Sequence, residues 1–382
     1  MVAAGCGLAA AAAVPTALKR TGRAAGRSHL ERAKDFGVKE ASHWKPLSRN
    51  RVQCNLCPRQ CSVSEGSRGF CGVRENREGK YYTLIYGRPC TAHNDPIEKK
   101  PLFHYLPGSR AFSIATAGCN IECLFCQNWN ISQAAPEDLE MYDMPPEKVV
   151  ALARAARCET IAHTYNEPVI TFEYMIECAR LGREAGIPAV MISNGFIQEK
   201  PMRELAAQLG AVKIDLKAFT EEYYRDTCNG RLQPVLDTLK VLKSEKIWFE
   251  IVVLLVTGLN DSADEIKRMT AWIVRELSPD VPVHFSRYFP QYKLTLPQTP
   301  VKTMERAYET AKAEGCNFVY VGNIELPGKA DTVCPNCGEH VIRRLGMMVR
   351  KNRLDDGKCP ECGRAIPGIW KAEDAFKRGV MS

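Results

Sequence analysis

Between residues 111 and 325 the chain alternates short apolar runs with longer segments whose apolar positions recur every three or four residues. The runs "AFSIATA", "TIAH", "PAVMIS", "AVKIDL", "IWFEIVVLL", "VPVHFS" and "FVYVG" are apolar almost throughout, a pattern that predicts strands covered on both faces. Most of the intervals hold amphipathic segments: "PEKVVALARAAR", "VITFEYMIECARLGREAG", "MRELAAQLG", "PVLDTLKVLKSE", "ADEIKRMTAWIVREL" and "TMERAYETAKAEG" predict helices. Several of these end at Gly just before the next strand, as short helix-to-strand loops require. Six or seven such units predict an α/β fold with a parallel sheet covered by helices. A partial or near-complete (β/α) barrel is preferred to a flat doubly wound sheet, because no glycine-rich phosphate fingerprint follows the first strand.

Outside this region the pattern breaks down. Residues 51–80 are loop-rich with little apolar material, 81–110 form a connector with strand-like "YYTLIYG" and the turn "LPGS", and 326–382 carry "CPNCG" and "CPECG" on short turns. Residues 1–50 form a basic leader. Ten Lys or Arg against three Asp or Glu in the first 53 residues supply +7 of the formal +8, so the body of the chain is nearly neutral. That distribution argues against nucleic acid as the main partner. The start, "MVAAGCGLAAAAAVPTALKR", is short, Ala-rich and weakly apolar, with no positive charge before it. A disordered leader on a cytoplasmic protein is one reading. The other is a signal remnant giving export or membrane anchoring, since "VAAGC" resembles a lipoprotein cleavage box.

Seventeen cysteines change the picture most. A disulfide framework suits small secreted domains, which this chain is not. Eleven of them fall into three short-spaced groups: Cys54, Cys57, Cys61 and Cys71; Cys119, Cys123 and Cys126; Cys334, Cys337, Cys359 and Cys362. Such grouping indicates metal ligation. Cys6, Cys90, Cys158, Cys178, Cys228 and Cys316 are scattered and read as small buried apolar side chains. The C-terminal pair of knuckles, with Pro and Gly around the cysteines, best fits four-thiolate zinc, a rubredoxin-like iron being the rival. The first group leaves zinc, an auxiliary iron–sulfur cluster, or a mixture with one cysteine unused all open; without metal that segment cannot close a core.

The middle group lies in "TAGCNIECLFCQNW", directly after the first strand, where the loops of a parallel barrel gather ligands. Three thiolates can hold three corners of a four-iron, four-sulfur cube and leave the fourth iron open. The bland alternative is half of a zinc site completed by a distant residue. The spacing Cys119-x3-Cys123-x2-Cys126, with Phe125 before the last cysteine, resembles the signature of the radical S-adenosylmethionine (SAM) superfamily. The resemblance implies that the open iron chelates SAM, that reductive cleavage yields a 5′-deoxyadenosyl radical, and that this radical abstracts hydrogen from a substrate.

Further matches follow later strands. "TYNEP" resembles the region that meets the SAM amino group, with Asn166 and Glu167 as its residues. "ISNGF" and "KIDLK" resemble segments that bind ribose and methionine in glycyl-radical activating enzymes, through Ser193, Asn194, Asp215 and Lys217. His284, in "HFSRYFP", is placed on SAM or substrate, and Phe125 on adenine. Taken singly, each of these residues also fits a helix cap or ordinary turn. In "DPIEKKPLFHY", Lys99, Lys100 and His104 either line the site or form a solvated loop with His104 packed beside Phe103 and Tyr105.

From about residue 50 to 370 the chain resembles the radical SAM member of the AmmeMemoRadiSam group, relatives of pyruvate formate-lyase activating enzymes. Motifs carrying the likeness include "CNLCPRQC", "CQNWNISQ" and the closing "CPNCG". An oxidoreductase-type enzyme is implied, with a flavodoxin- or ferredoxin-like electron donor, a small-molecule or protein substrate, and Memo- and AMMECR-type partners. Activation of a glycyl-radical enzyme is the alternative within that chemistry. A non-enzymatic metal scaffold that binds partners through its zinc ribbon is the alternative outside it.

Overall fold

All seven apolar runs are strands: Arg110–Ala115, Thr160–His163, Ala189–Ser193, Ala211–Asp215, Trp248–Leu255, Val283–Arg287 and Val319–Gly322. They lie side by side in chain order, every pair parallel. The computed structural model from which this follows describes residues 37–377 and Gly379. Cys6, "VAAGC" and most of the basic leader therefore lie outside the described residues.

The sheet gains one strand that hydropathy conceals. Thr91–Pro96 pairs antiparallel with Arg110–Ala115, from Thr91 opposite Ala115 to Pro96 opposite Arg110. Its polar sequence, closed by a proline, suits an edge. Among the described residues this strand and Val319–Gly322 end the order without pairing to each other, so the barrel is a partial one.

Helices cover the sheet where the amphipathic segments lie, at Pro146–Ala155, Phe172–Glu184, Glu199–Ala206, Leu232–Ser244, Ala263–Trp272 and Val301–Ala313. The Ser262 hydroxyl accepts from the Glu265 backbone N–H and fixes one start. A further helix, Glu221–Cys228, is short and mostly charged or polar; Thr220 caps it through the Tyr223 N–H. No helix among the described residues is long and apolar enough to cross a membrane.

The amino ends of the strands are sealed. Ala111, Val190, Ala211 and Trp248 pack with Leu102, Tyr105 and Ile369. Beside them the C-terminal module, a three-stranded antiparallel sheet of Thr332–Val333, His340–Leu345 and Met348–Asn352, packs Val341 and Ile342 on Phe103, Phe318 and Tyr320. The buried Arg344 guanidinium ties the two by donating to the Phe103 carbonyl (2.7 Å) and the Thr332 hydroxyl (2.9 Å). His104 belongs to this seal: its ring stacks on Trp248, and its nitrogens meet the Pro367 carbonyl (2.6 Å) and the Tyr320 hydroxyl (2.5 Å). Chemistry is left to the opposite end.

There the N-terminal module docks as two small three-stranded sheets. Arg74, 1% exposed, extends from it to Glu173, 4% exposed, at 2.6 Å. The other Glu173 oxygen accepts from the Ser42 N–H at 2.6 Å.

Candidate metal centre at the strand ends

The loop after Arg110–Ala115 is held open by backbone chemistry. Gly118, at φ +86°, lies where a Cβ would come within 2.5 Å of the Cys71 carbonyl oxygen, so only glycine permits this approach. Farther along, the Glu122 and Leu124 N–H groups donate to the Cys228 and Thr227 carbonyls (both 2.9 Å) at the end of the capped helix. Those are carbonyls a helix end leaves unpaired, so the helix anchors the loop.

Within the loop, backbone N–H groups two residues on are aimed at sulfur: Ile121 at Cys119 and Asn128 at Cys126. The Asn194 side-chain amide reaches Cys119 Sγ at 3.9 Å, and the Ser132 hydroxyl lies 3.2 Å from Cys126 Sγ. Donors gathered on sulfur favour thiolates, the form that binds iron. Burial pushes the Cys119 and Cys126 thiols up, so in the metal-free protein they hold their protons. Cys123 differs. A hydrogen bond with the Cys228 thiol holds it below the ordinary thiol range, with Lys217 acting in the same direction against burial. The donor set therefore fits an iron–sulfur cluster on three thiolates.

The expected SAM residues follow successive strands and, with one exception, gather at this loop. Asn166 donates to the Gly118 carbonyl (2.9 Å). Both Glu167 oxygens are engaged, by the Val169 N–H (3.0 Å), the Ser193 hydroxyl (2.8 Å) and the Asn194 N–H (2.7 Å). Four lone-pair positions minus these three leave room for one more donor. Asn194 also donates to the Asn120 side chain at 2.8 Å. Asp215, at the end of its strand, meets Lys213 and, at 3.5 Å, Lys217; the latter ammonium stands 5.6 Å from the centre of the Phe125 ring. Burial works to raise the Asp215 carboxyl, but Lys213 and Lys217 hold it below the usual carboxylate range.

His284 is the exception and corrects the sequence-based expectation. It is only the second residue of Val283–Arg287, and its imidazole faces the buried Glu250 at 2.7 Å, stacks on Tyr320 and meets the Phe103 ring edge-on. Glu250 in turn accepts from the Phe103 and His104 N–H groups (2.9 and 2.8 Å). His284 thus belongs to the barrel's packed interior beside the seal. Of the connector lysines, Lys100 is buried on Asp95 (2.7 Å), which also takes Lys99 (2.9 Å) and the Tyr165 hydroxyl.

Sequence reasoning missed Cys228, Asn120 and Lys213. Cys228 carries no spacing signal, and only the fold brings it to Cys123.

Glu167 yields a pH prediction. Burial pushes its carboxyl up to about 7 against its three hydrogen bonds, from an ordinary value near 4.5. The folded state therefore binds a proton more tightly than the unfolded chain. The resulting stability is present below about pH 4.5, falls as pH rises and is gone above about 7, an effect of about 3 kcal/mol for a fully buried group. Glu167→Gln should remove this part of the slope when metal-free wild type and variant are unfolded by denaturant at pH 5 and pH 8.

The two outer cysteine groups differ in form. In the C-terminal one all four sulfurs lie within 4.8 Å of one another, with Cys334–Cys362 and Cys337–Cys359 each at 3.6 Å. The knuckles are copies: the Gly338 N–H donates to the Cys334 carbonyl and the Gly363 N–H to that of Cys359, both at 2.9 Å. Four thiolates around one ion at 2.3 Å stand about 3.8 Å apart, so this group fits a single tetrahedral metal. In the N-terminal module Cys54, Cys57, Cys61 and Cys71 line one cavity.

Comparison with known proteins identifies the family. Residues 113–273 match the family model described as the radical SAM superfamily. A protein of Methanocaldococcus jannaschii, "Uncharacterized protein MJ0808", is 40% identical over 332 residues, covering 86% of this chain and 99% of that one. Among solved structures, a radical SAM methyltransferase from Sphaerobacter thermophilus is similar at 13% identity and TM-score 0.48, over 76% of this chain and 78% of that one. A domain of a pyruvate-formate lyase-activating enzyme from Bacteroides vulgatus is similar at 16% identity and TM-score 0.38, over 42% and 98%. The chain belongs to the radical SAM superfamily.

Proposed function

We propose that this protein reductively cleaves SAM at a four-iron cluster held by Cys119, Cys123 and Cys126, and uses the product to take a hydrogen atom from a polar small molecule or side chain. When bound, the cluster and the sulfonium supply one-electron chemistry that generates a carbon radical. The carrying observation is the hydrogen-bonded network that joins Cys119, through Asn194, to Glu167 and Ser193. Asn194 keeps Cys119 in place, Asn166 fixes the loop at Gly118, and Lys217 brings positive charge to Cys123. The remaining acceptor position on Glu167 is offered to the SAM ammonium, and the Phe125 face to adenine. Asp215 and Lys217 at the strand end, with Lys213 paired to Asp215 from within the strand, favour a substrate with charged or polar groups over a backbone glycine loop. The finer reading is the AmmeMemoRadiSam type, with Memo- and AMMECR-type proteins as partners and a flavodoxin- or ferredoxin-like donor. It rests on the sequence motifs.

The test is anaerobic. Protein reconstituted with iron and sulfide, then given dithionite and SAM, should release 5′-deoxyadenosine; no release above a protein-free control would reject the reading.

For the C-terminal group the proposal is structural zinc. Cys337→Ser should remove about one zinc per chain. Its sheet should then exchange amide hydrogens faster while the barrel strands keep their protection, as followed by hydrogen-exchange mass spectrometry.

A further inference from the structure

The N-terminal cysteines are arranged unlike the C-terminal ones, and the difference identifies what they hold. At the C-terminus four sulfurs crowd around a point. In the N-terminal module, among the described residues, no three ligand atoms come within 4.8 Å of one another. The four thiols instead line a single cavity that is partly open to solvent. One metal ion draws four thiolates to a common centre. A cubane places each thiolate on its own iron at a separate corner, with the inorganic core between them, so its cysteines must stand farther apart around a cavity.

The walls suit such an occupant. Leu56, Val169 and Ile170 are apolar and buried, giving the cluster a dry side. Arg59 and Arg74 also line the cavity and offset the negative charge that four thiolates bring. The Arg59 guanidinium is fixed over the Phe70 ring, 3.3 Å from its centre, and donates to the Asn120 carbonyl at 2.5 Å. Three of the four sulfurs have a backbone N–H aimed at them from two residues on: Leu56 at Cys54, Arg59 at Cys57 and Val73 at Cys71. The same arrangement serves Cys119 and Cys126. Space for the core is kept by Gly69, where a Cβ would lie 2.6 Å from the Tyr81 hydroxyl and 3.8 Å from the Cys61 Cβ.

We infer that Cys54, Cys57, Cys61 and Cys71 bind a second four-iron, four-sulfur cluster, with every corner held by the chain. Closed at all four irons, it has no position for SAM or substrate. It lies beside the radical-generating centre: the Cys71 carbonyl packs on Gly118, one residue before Cys119, and Arg59 bonds to Asn120, one residue after it.

Metal and sulfide counting on the anaerobically reconstituted full chain tests this. About eight iron, eight sulfide and one zinc per chain are expected; about four iron with two zinc would overturn the inference. A variant carrying Cys119→Ala, Cys123→Ala and Cys126→Ala should keep about four iron. After dithionite it should give a paramagnetic cluster signal that SAM leaves unchanged. If that variant has the wild-type circular dichroism spectrum and no iron, the inference fails. Cys57→Ser with Cys61→Ser is the reciprocal case: it should lose about half of the iron while its remaining signal still responds to SAM. A loss of SAM cleavage in the wild type would reject the proposed reaction and leave these counts untouched, so the two failures are distinguishable.

Discussion

Cys119→Ala should reduce 5′-deoxyadenosine formation to background, a fall of at least about a thousandfold, because a corner thiolate has no substitute in the loop. Its sulfur is held by the Ile121 N–H and the Asn194 amide, and no other thiol shares those donors. Cys123→Ala and Cys126→Ala should behave alike. Cys228→Ala provides the contrast. It removes a hydrogen-bonding neighbour of Cys123 and not a ligand, so iron content should stay at the wild-type level. Anaerobic turnover with dithionite and SAM, alongside iron analysis and circular dichroism, reads all four. Wild-type turnover by Cys119→Ala would mean that Cys119 holds no catalytic iron, and absence of turnover in the wild type itself would revive the non-enzymatic scaffold reading.

Arg74→Ala should destabilise the docking of the N-terminal module by about 3–5 kcal/mol, the cost of leaving a buried carboxylate without its partner. Arg74 and Glu173 are joined at 2.6 Å with almost no solvent contact, and the guanidinium also donates to the Ile170 carbonyl at 3.3 Å. Glu173→Ala should cost a similar amount, since it strips both Arg74 and the Ser42 N–H of their acceptor. Replacing both partners together, as Arg74→Met with Glu173→Leu, should cost less than either single change, because no unpaired charge remains. Denaturant unfolding of anaerobic protein supplies the values. Single-variant losses under about 1 kcal/mol would mean that water reaches the pair.

What the sequence made legible follows from burial. All seven parallel strands stand out because both their faces are covered, which makes them continuous apolar runs. The strand Thr91–Pro96 has the opposite character, polar and closed by proline, and only its pairing with Arg110–Ala115 makes it a strand. The helix Glu221–Cys228 spans only eight residues, half of them charged, and too short a run gives no clear helical signal, so its role as anchor of the cysteine loop was hidden with it.

At the site, residues adjoining strand ends were legible because the parallel fold carries strand-end loops to one place: Asn166, Glu167, Ser193, Asn194, Asp215 and Lys217 all come to the cysteine loop. His284 failed for a geometric reason. A residue early in its strand, with a buried Glu250 in reach, turns to that carboxylate and not to the strand ends. His104 is similar, a histidine just after the charged run "EKK", flanked by Phe103 and Tyr105, that the C-terminal module covers completely.

The central claim is a four-iron cluster with one iron left for SAM. Electron paramagnetic resonance of the dithionite-reduced protein, recorded before and after SAM is added, tests it most directly. A reduced-cluster signal whose g-values move when SAM binds, and which is absent from Cys119→Ala, is the expected result. A spectrum in which no component responds to SAM, or the same SAM-responsive signal in Cys119→Ala, would contradict it.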